Sequence, residues 1–202
     1  YKYINTLRKS LYSSDNSKST EDIGASSKTT DLNKSLEKKI KNISQTRKGG
    51  IVLSRLTEFS KAKTIIELGT GGGIGTLYLR EGNQDANIYT IEGNDIIAAQ
   101  AKSLFEVAQA KNIHLIHGIF EDVLLDLLNS VEKVDLVFID GDHTKDGTLK
   151  YFNMLLPYIH EHTVLVFHDI YWSDDMEAAW KEISNHLEVS LSIDVFYFGI
   201  AL

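Results

Sequence analysis

A strand that runs directly into a glycine-rich turn and then a helix constrains the fold of this 202-residue chain most strongly. The apolar run TIIEL at 64–68 is followed by GTGGGIG at 69–75. Glycine adopts positive φ freely and lets the backbone approach a ligand closely, while the next helix offers free N–H groups at its N-terminus. The segment predicts a ligand-binding turn in an α/β fold, although tight packing of a strand on a helix also selects glycine.

Short β-rich runs alternate with helical patterns from residue 63 onward. Runs such as VDLVFID are apolar on both faces, as a parallel sheet covered by helices requires. The tail VSLSIDVFYFGIAL predicts two more strands with a turn near Asp194. We therefore expect a Rossmann-like, doubly wound, mostly parallel sheet of seven strands with an antiparallel last strand. Strands are predicted at 64–68, 87–91, 113–117, 134–139 and 163–167, and helices at 74–80, 95–110, 121–128, 148–155 and 174–186.

The first 63 residues differ from the rest in charge and pattern. They carry 14 Lys and Arg against 6 Asp and Glu, a net charge of +8, whereas residues 64–202 carry −15. Helical spacing is present at 1–12, at 31–45 with Asp31 as N-cap, and at 51–59. We expect residues 1–63 to be an N-terminal helical extension that packs on a domain of residues 64–202; docking on a partner subunit or an anionic surface is the alternative. The acidic domain would repel nucleic acid.

Several classes of protein are disfavoured by composition. The sequence has no cysteine, which removes disulfides and thiolate metal sites and fits a reducing compartment. Apolar runs stay below the roughly 20 residues of a membrane-spanning helix, and a basic-then-apolar leader is not visible. These features predict a cytoplasmic protein without membrane association, and the uneven charge makes a homodimer an open hypothesis.

The glycine spacing distinguishes between ligand classes. A phosphate-binding P-loop would end in Gly-Lys-Ser/Thr, and a dinucleotide fingerprint requires G-x-G-x-x-G. Neither fits, because Ile74 and Thr76 stand where the third glycine would be. The pattern that does fit is E-x-G-x-G-x-G, with the positions Glu67, Gly69, Gly71 and Gly73.

A second acidic residue ends the next predicted strand. Glu92 follows IYTI about 20 residues beyond the glycine turn, where a carboxylate accepts hydrogen bonds from both ribose hydroxyls of a nucleoside. A chance acidic residue at a strand end is the alternative.

Together, the segments IIELGTGGGIGTLYL, IYTIEGND, VDLVFIDGDHTKDGTLKYF and VLVFHDIYWSDDMEAAW resemble class I S-adenosylmethionine-dependent methyltransferases. Within that class they are similar to the small O-methyltransferase-like group related to catechol O-methyltransferase. The resemblance covers most of residues 64–180. It implies that Glu67 and the loop from Gly69 through Thr70 to Gly73 face the methionine portion of the cofactor and that Glu92 binds its ribose. Gly118, Phe120 and Glu121 would border the adenine, and residues 22–27 resemble a segment that precedes the core in bacterial members.

Two aspartates follow adjacent strands of the predicted sheet. Asp140 ends the fourth strand and Asp169 the fifth, so both are expected at the carboxyl edge beside the glycine turn. Two carboxylates suit a hard divalent ion such as Mg²⁺, which would hold and acidify a substrate hydroxyl. In the similar enzymes an asparagine follows the second aspartate, whereas this chain has Ile170. Turn formation by Asp140 with Gly141 is the alternative to metal binding.

The similar enzymes place a lysine base three residues after the first aspartate. That position is His143 here, and a histidine takes up a proton near neutral pH. We therefore predict His143, Asp140 and Asp169 as catalytic residues. His168 is interpreted as structural, because it ends a buried strand.

These observations predict methyl transfer from S-adenosylmethionine to an oxygen of a small-molecule acceptor. Nitrogen as the methyl acceptor is a variant of the same hypothesis. Two alternatives stay open: a non-catalytic protein that binds S-adenosylmethionine, and a NAD-dependent oxidoreductase, against which the broken dinucleotide spacing argues.

Overall fold

The computed structural model describes residues 1–12 and 38–202, except the side chain of Tyr12. The segment 22–27 and the predicted N-cap Asp31 lie outside the described residues. Residues 38–43 are helical. In the described ranges, no helix combines the length and the apolar character that crossing a membrane requires.

Seven strands form one sheet in the order β3-β2-β1-β4-β5-β7-β6. The first five strands run parallel, and β7 lies antiparallel between β5 and β6, so the predicted doubly wound topology with an antiparallel closing strand is confirmed. The strands are β1 Thr64–Leu68, β2 Asn87–Glu92, β3 Ile113–His117, β4 Leu136–Ile139, β5 Val164–His168, β6 Ser192–Asp194 and β7 Phe198–Ala201.

Among the described residues, seven longer helices surround the sheet, and two of them begin three or more residues earlier than predicted. The predictions followed apolar spacing, whereas hydroxyl caps set the true starts. Thr46 accepts a hydrogen bond from the N–H of Gly49 at 3.1 Å, and Thr144 accepts one from Gly147 at 3.2 Å. The helices are α1 Lys2–Tyr12, α2 Arg47–Ser60, α3 Ile74–Gly82, α4 Asp95–Val107, α5 Phe120–Ser130, α6 Lys145–Leu155 and α7 Asp174–Ser184, and a 3₁₀ turn spans Leu156–Tyr158.

The core lies on both faces of the sheet. On one face, α5, α6 and α7 pack on the strands, and Trp180 is buried against Phe167 at a ring distance of 5.9 Å. On the other face, α2 and α3 pack through residues such as Leu53 and Leu79. Helix α1 buries Ile4, Leu7 and Leu11 against α3 and α4. Because β1 and β4 are neighbours although they are distant in sequence, the carboxyl ends of these two strands open the crevice in which such sheets bind ligands.

Candidate functional site

The glycine turn after β1 has the backbone geometry that its sequence predicts. Gly69, Gly71 and Gly73 have φ values of +99°, +52° and +80°, a region that side chains make costly. A β-carbon at Gly69 would clash with the backbone carbonyl oxygen of Asp140, and one at Gly73 would come within 2.8 Å of the Phe105 ring. The glycines therefore let the turn lie directly against β4 and α4.

Glu67 lies buried one residue before the end of β1, with 1% of its surface exposed. Its Oε2 atom accepts hydrogen bonds from Thr76 at 2.5 Å and Thr90 at 2.6 Å, whereas its Oε1 atom is buried without a partner among the described residues. Burial raises the pKa of Glu67 to about 8, although the two threonine hydroxyls lower it. Thr76, which breaks the dinucleotide spacing, thus has the structural role of holding this carboxyl.

Gln45 is a site residue that the sequence did not reveal. It is 6% exposed, its Oε1 atom accepts a hydrogen bond from the N–H of Thr46 at 2.8 Å, and its Nε2 atom is buried with no partner in the described structure. A β-carbon at Gly75 would lie 2.9 Å from Oε1 of Glu67 and 3.7 Å from Cβ of Gln45. An unpaired carboxyl oxygen and the side chain carrying an unpaired donor therefore border the same point at the start of α3.

Glu92 ends β2 and holds the glycine turn. Its Oε2 atom accepts a hydrogen bond from the N–H of Gly71 at 2.9 Å, and its Oε1 atom accepts one from Asn94 at 3.0 Å. Each carboxylate oxygen keeps a further lone pair for a ligand hydroxyl. The hydroxyl of Thr70 is buried against that of Thr90 at 2.6 Å. A contact of Thr70 with a cofactor is therefore left to its backbone.

A cleft follows β3 and contains the residues predicted to border the adenine. Gly118, Phe120 and Glu121 line it together with Asp142 and Tyr151, two residues that the sequence reasoning did not select. The Tyr151 hydroxyl lies 2.9 Å from Oε1 of Glu121 and 3.0 Å from Oδ2 of Asp142. Hydrogen bonds from its own backbone N–H and from Tyr151 lower the pKa of Glu121. The cleft thus combines an aromatic wall with two carboxylates.

The carboxyl ends of β4 and β5 bring Asp140, His168 and Asp169 together. The Nδ1 atom of His168 lies 2.8 Å from Oδ1 of Asp140 and 3.5 Å from Oδ2 of Asp169. Asp169 has a φ of +54°, and its N–H donates to the carbonyl of Tyr197 at 2.8 Å. Burial lowers the pKa of His168, but the hydrogen bond and charge of Asp140 outweigh that effect, so the pKa is raised. Ile170 is completely buried.

His143, the predicted base, lies beside Asp140 but is not hydrogen-bonded to it. Its Nε2 atom lies 3.8 Å from Oδ1 of Asp140, beyond hydrogen-bond distance, and its Nδ1 atom is buried without a partner among the described side chains. His143 therefore lies close to the predicted catalytic residue Asp140, but no hydrogen bond fixes its position there. Tyr171 and Trp172 follow Asp169 and Ile170 in the chain, with 45% and 72% of their surfaces exposed, and the Tyr171 ring packs on Phe196 at 5.8 Å.

Residues 66–170, just over half of the chain, match a family described as a methyltransferase domain. The chain belongs to the methyltransferase family. The matched range includes the glycine turn, Glu92, the cleft after β3 and both aspartates of the predicted catalytic group, so the family assignment rests on the part of this methyltransferase that forms the candidate site.

Sequence relatives of the methyltransferase point to the same group. It is 38% identical over 96 residues to a candidate O-methyltransferase of Mycobacterium sp. (strain JLS), and the same values hold for one of Mycobacterium leprae (strain TN). The alignments cover 46% of this chain and 43% and 42% of the two relatives. The chain therefore spans less than half the length of these relatives.

Solved structures extend the similarity over the whole fold. The O-methyltransferase from Bacillus cereus, solved in complex with S-adenosylhomocysteine, has a TM-score of 0.68 and 22% identity, with 98% of each chain covered. TomG from Streptomyces achromogenes, an O-methyltransferase involved in tomaymycin synthesis and solved with S-adenosylmethionine, has the same TM-score and identity over 79% of this chain and 81% of its own. At this identity the similarity establishes the fold.

Proposed function

We propose that this methyltransferase transfers a methyl group from S-adenosylmethionine to an oxygen of a small-molecule acceptor. The observation that carries the proposal is the unpaired Oε1 atom of Glu67, buried beside the glycine turn. A buried carboxyl oxygen without a partner is costly, and the ammonium group of a methionine portion would supply the missing partner.

The other residues of the site fit the remaining parts of that cofactor. The Nε2 atom of Gln45 would donate a hydrogen bond to the methionine carboxylate. Glu67 and Gln45 would then each contact one of the two charged groups of the methionine portion. Glu92 would accept hydrogen bonds from the ribose hydroxyls. Phe120 would pack against the adenine ring, with Gly118 and Glu121 at its edge. When bound, S-adenosylmethionine supplies an electrophilic methyl group; the protein contributes position, orientation and a proton acceptor.

The residues present do not fit a divalent metal ion between Asp140 and Asp169. The imidazole of His168 lies in contact with both carboxylates, where an ion would need to lie, and the neighbouring Ile170 offers no oxygen ligand. Within residues 1–12 and 38–202, no group of three or more His, Asp and Glu side chains is arranged to hold a metal. We therefore derive no step of the reaction through Mg²⁺.

A labelled-methyl experiment tests this function. The wild type would be incubated with S-adenosylmethionine carrying a CD₃ group and with panels of phenols, catechols, hydroxy acids and amines, and products would be identified by mass spectrometry. We expect a CD₃–O product with an equal amount of S-adenosylhomocysteine. A CD₃–N product would transfer the proposal to nitrogen acceptors, and tight cofactor binding without any product would favour the non-catalytic alternative. A cytoplasmic location and a homodimer stay predictions.

A further inference from the structure

Strand register brings His168 to the same level as the glycine turn. Glu67 pairs with Phe138, and Phe138 pairs with Val166, across the three neighbouring strands β1, β4 and β5. Asp140 and His168 each lie two residues further along. Because residues two apart on a strand share a face, the side chains of Asp140 and His168 lie on the face that carries Glu67, about 7 Å nearer the carboxyl edge.

Contacts with its neighbours fix the ring of His168 at this level. Phe138 lies 6.1 Å and Phe198 5.1 Å from it, measured between ring centres. A carboxylate only accepts hydrogen bonds, so Nδ1 of His168 carries the hydrogen that Asp140 accepts at 2.8 Å. No hydrogen bond among the described residues uses Nε2, and 18% of the side chain is exposed. In the neutral ring, Nε2 is therefore an accepting nitrogen within reach of a ligand.

We propose that His168, rather than His143 or a metal-bound hydroxide, accepts the proton of the acceptor hydroxyl during methyl transfer. The inference rests on the proposed function and names the base of the same site. Asp140 acts as a positioning residue that fixes the tautomer and orientation of the ring, and Asp169 adds a second negative charge 3.5 Å from Nδ1.

The step balances in atoms and charge. The hydroxyl proton moves to Nε2, the acceptor oxygen forms the new C–O bond, and the electron pair of the breaking C–S bond stays on sulfur. The positive charge of the sulfonium disappears as a positive charge forms on the imidazole. That charge then lies between Asp140 and Asp169, where it is stabilised by two carboxylates. The same two carboxylates explain why the site functions without a divalent ion.

His143 lacks these features. Its Nε2 atom is 3.8 Å from Asp140, so no hydrogen bond fixes its tautomer.

Three variants distinguish between His168 and His143 as the residue that accepts the proton. His168→Asn keeps a donor close to the position of Nδ1 but lacks Nε2, and His143→Asn makes the same change at the rival residue. His160→Gln is the matched control, because His160 forms an Asp–His pair with Asp135 at 3.0 Å, at the opposite end of β4. With a phenol or catechol that the wild type methylates, we expect His168→Asn to lower kcat by about 10²–10⁴-fold. S-adenosylhomocysteine affinity should be unchanged, His143→Asn should lower kcat less than His168→Asn does, and His160→Gln should keep kcat within about tenfold.

Two measurements test the proposal without measuring catalysis. Two-bond ¹H–¹⁵N NMR spectra of the wild type should show neutral His168 as the Nδ1–H tautomer, and Mn²⁺ titration followed by EPR should show no site tighter than about 0.1 mM. An Nε2–H tautomer would overturn the proposal, as would Mn²⁺ binding that Asp169→Asn removes or a loss of kcat in His143→Asn alone. Failure of the wild type to bind S-adenosylhomocysteine would instead overturn the proposed function.

Discussion

Glu67→Gln should make the protein more stable at alkaline pH while weakening S-adenosylhomocysteine binding on the order of 100-fold. The two effects have one cause. Burial raises the pKa of Glu67 to about 8 from 4.5, so the folded protein holds a proton there that the unfolded chain releases. Glutamine imitates the protonated carboxyl in shape and hydrogen bonding to Thr76 and Thr90, but it lacks the charge that a ligand ammonium group requires.

The sign of the pH dependence follows from proton linkage. Between pH 4.5 and about 8 the folded state binds more protons at Glu67 than the unfolded state, so wild-type stability falls as pH rises through this window. The two proteins should have similar free energies of unfolding below pH 4.5. Above pH 8 the variant should be more stable by up to about 5 kcal/mol.

Urea denaturation at several pH values measures this difference. Glu106→Gln, at an exposed position of α4, is the control that should show no such trend. A constant difference between wild type and Glu67→Gln across pH would contradict a raised pKa of Glu67 in the folded protein.

Gly69→Ala should destabilise the protein by roughly 2–4 kcal/mol and abolish measurable S-adenosylhomocysteine binding. The backbone at Gly69 has a φ of +99°, and an added β-carbon would clash with the carbonyl oxygen of Asp140. Neither group is a flexible side chain, so the turn and the end of β4 must move apart. That movement would displace both the cofactor turn and the Asp140–His168 pair.

Gly93→Ala is the matched control for this prediction. A β-carbon at Gly93 would meet Gly118 and Ile119 at 3.7 Å, an ordinary contact distance. The denaturation midpoint of Gly69→Ala should therefore be clearly lower than that of Gly93→Ala. If Gly69→Ala were as stable as Gly93→Ala and still bound the ligand, the close approach of β1 and β4 would not be a requirement of the site.

The strand pattern of the sequence was sufficient to predict the sheet, because buried parallel strands have apolar runs that no surface element shares. The bounds of β1 and β3 agree with the prediction, and β7 inserts antiparallel as expected. The start of α2 was predicted at residue 51 rather than Arg47, because the cap formed by Thr46 carries no apolar signal.

The chemistry at the carboxyl edge was harder to predict. Sequence spacing located Asp140 and Asp169, but the hydrogen bond between Asp140 and His168 depends on register between β4 and β5, which sequence alone leaves open. The sequence favours a structural interpretation of His168, because the residue ends a buried strand. Gln45 was missed because its importance comes from a buried, unpaired donor beside the glycine turn, a property of tertiary packing.

The central claim is that the glycine turn and Glu92 form a cofactor site, and calorimetric titration with S-adenosylhomocysteine tests it most directly. Glu92 accepts a hydrogen bond from the N–H of Gly71 at 2.9 Å, and it is the residue proposed to bind the ribose hydroxyls. We expect wild-type binding with a Kd of about 1–10 μM and a loss on the order of 100-fold in Glu92→Ala. Absence of binding to folded wild type, or equal binding to both proteins, would contradict the account.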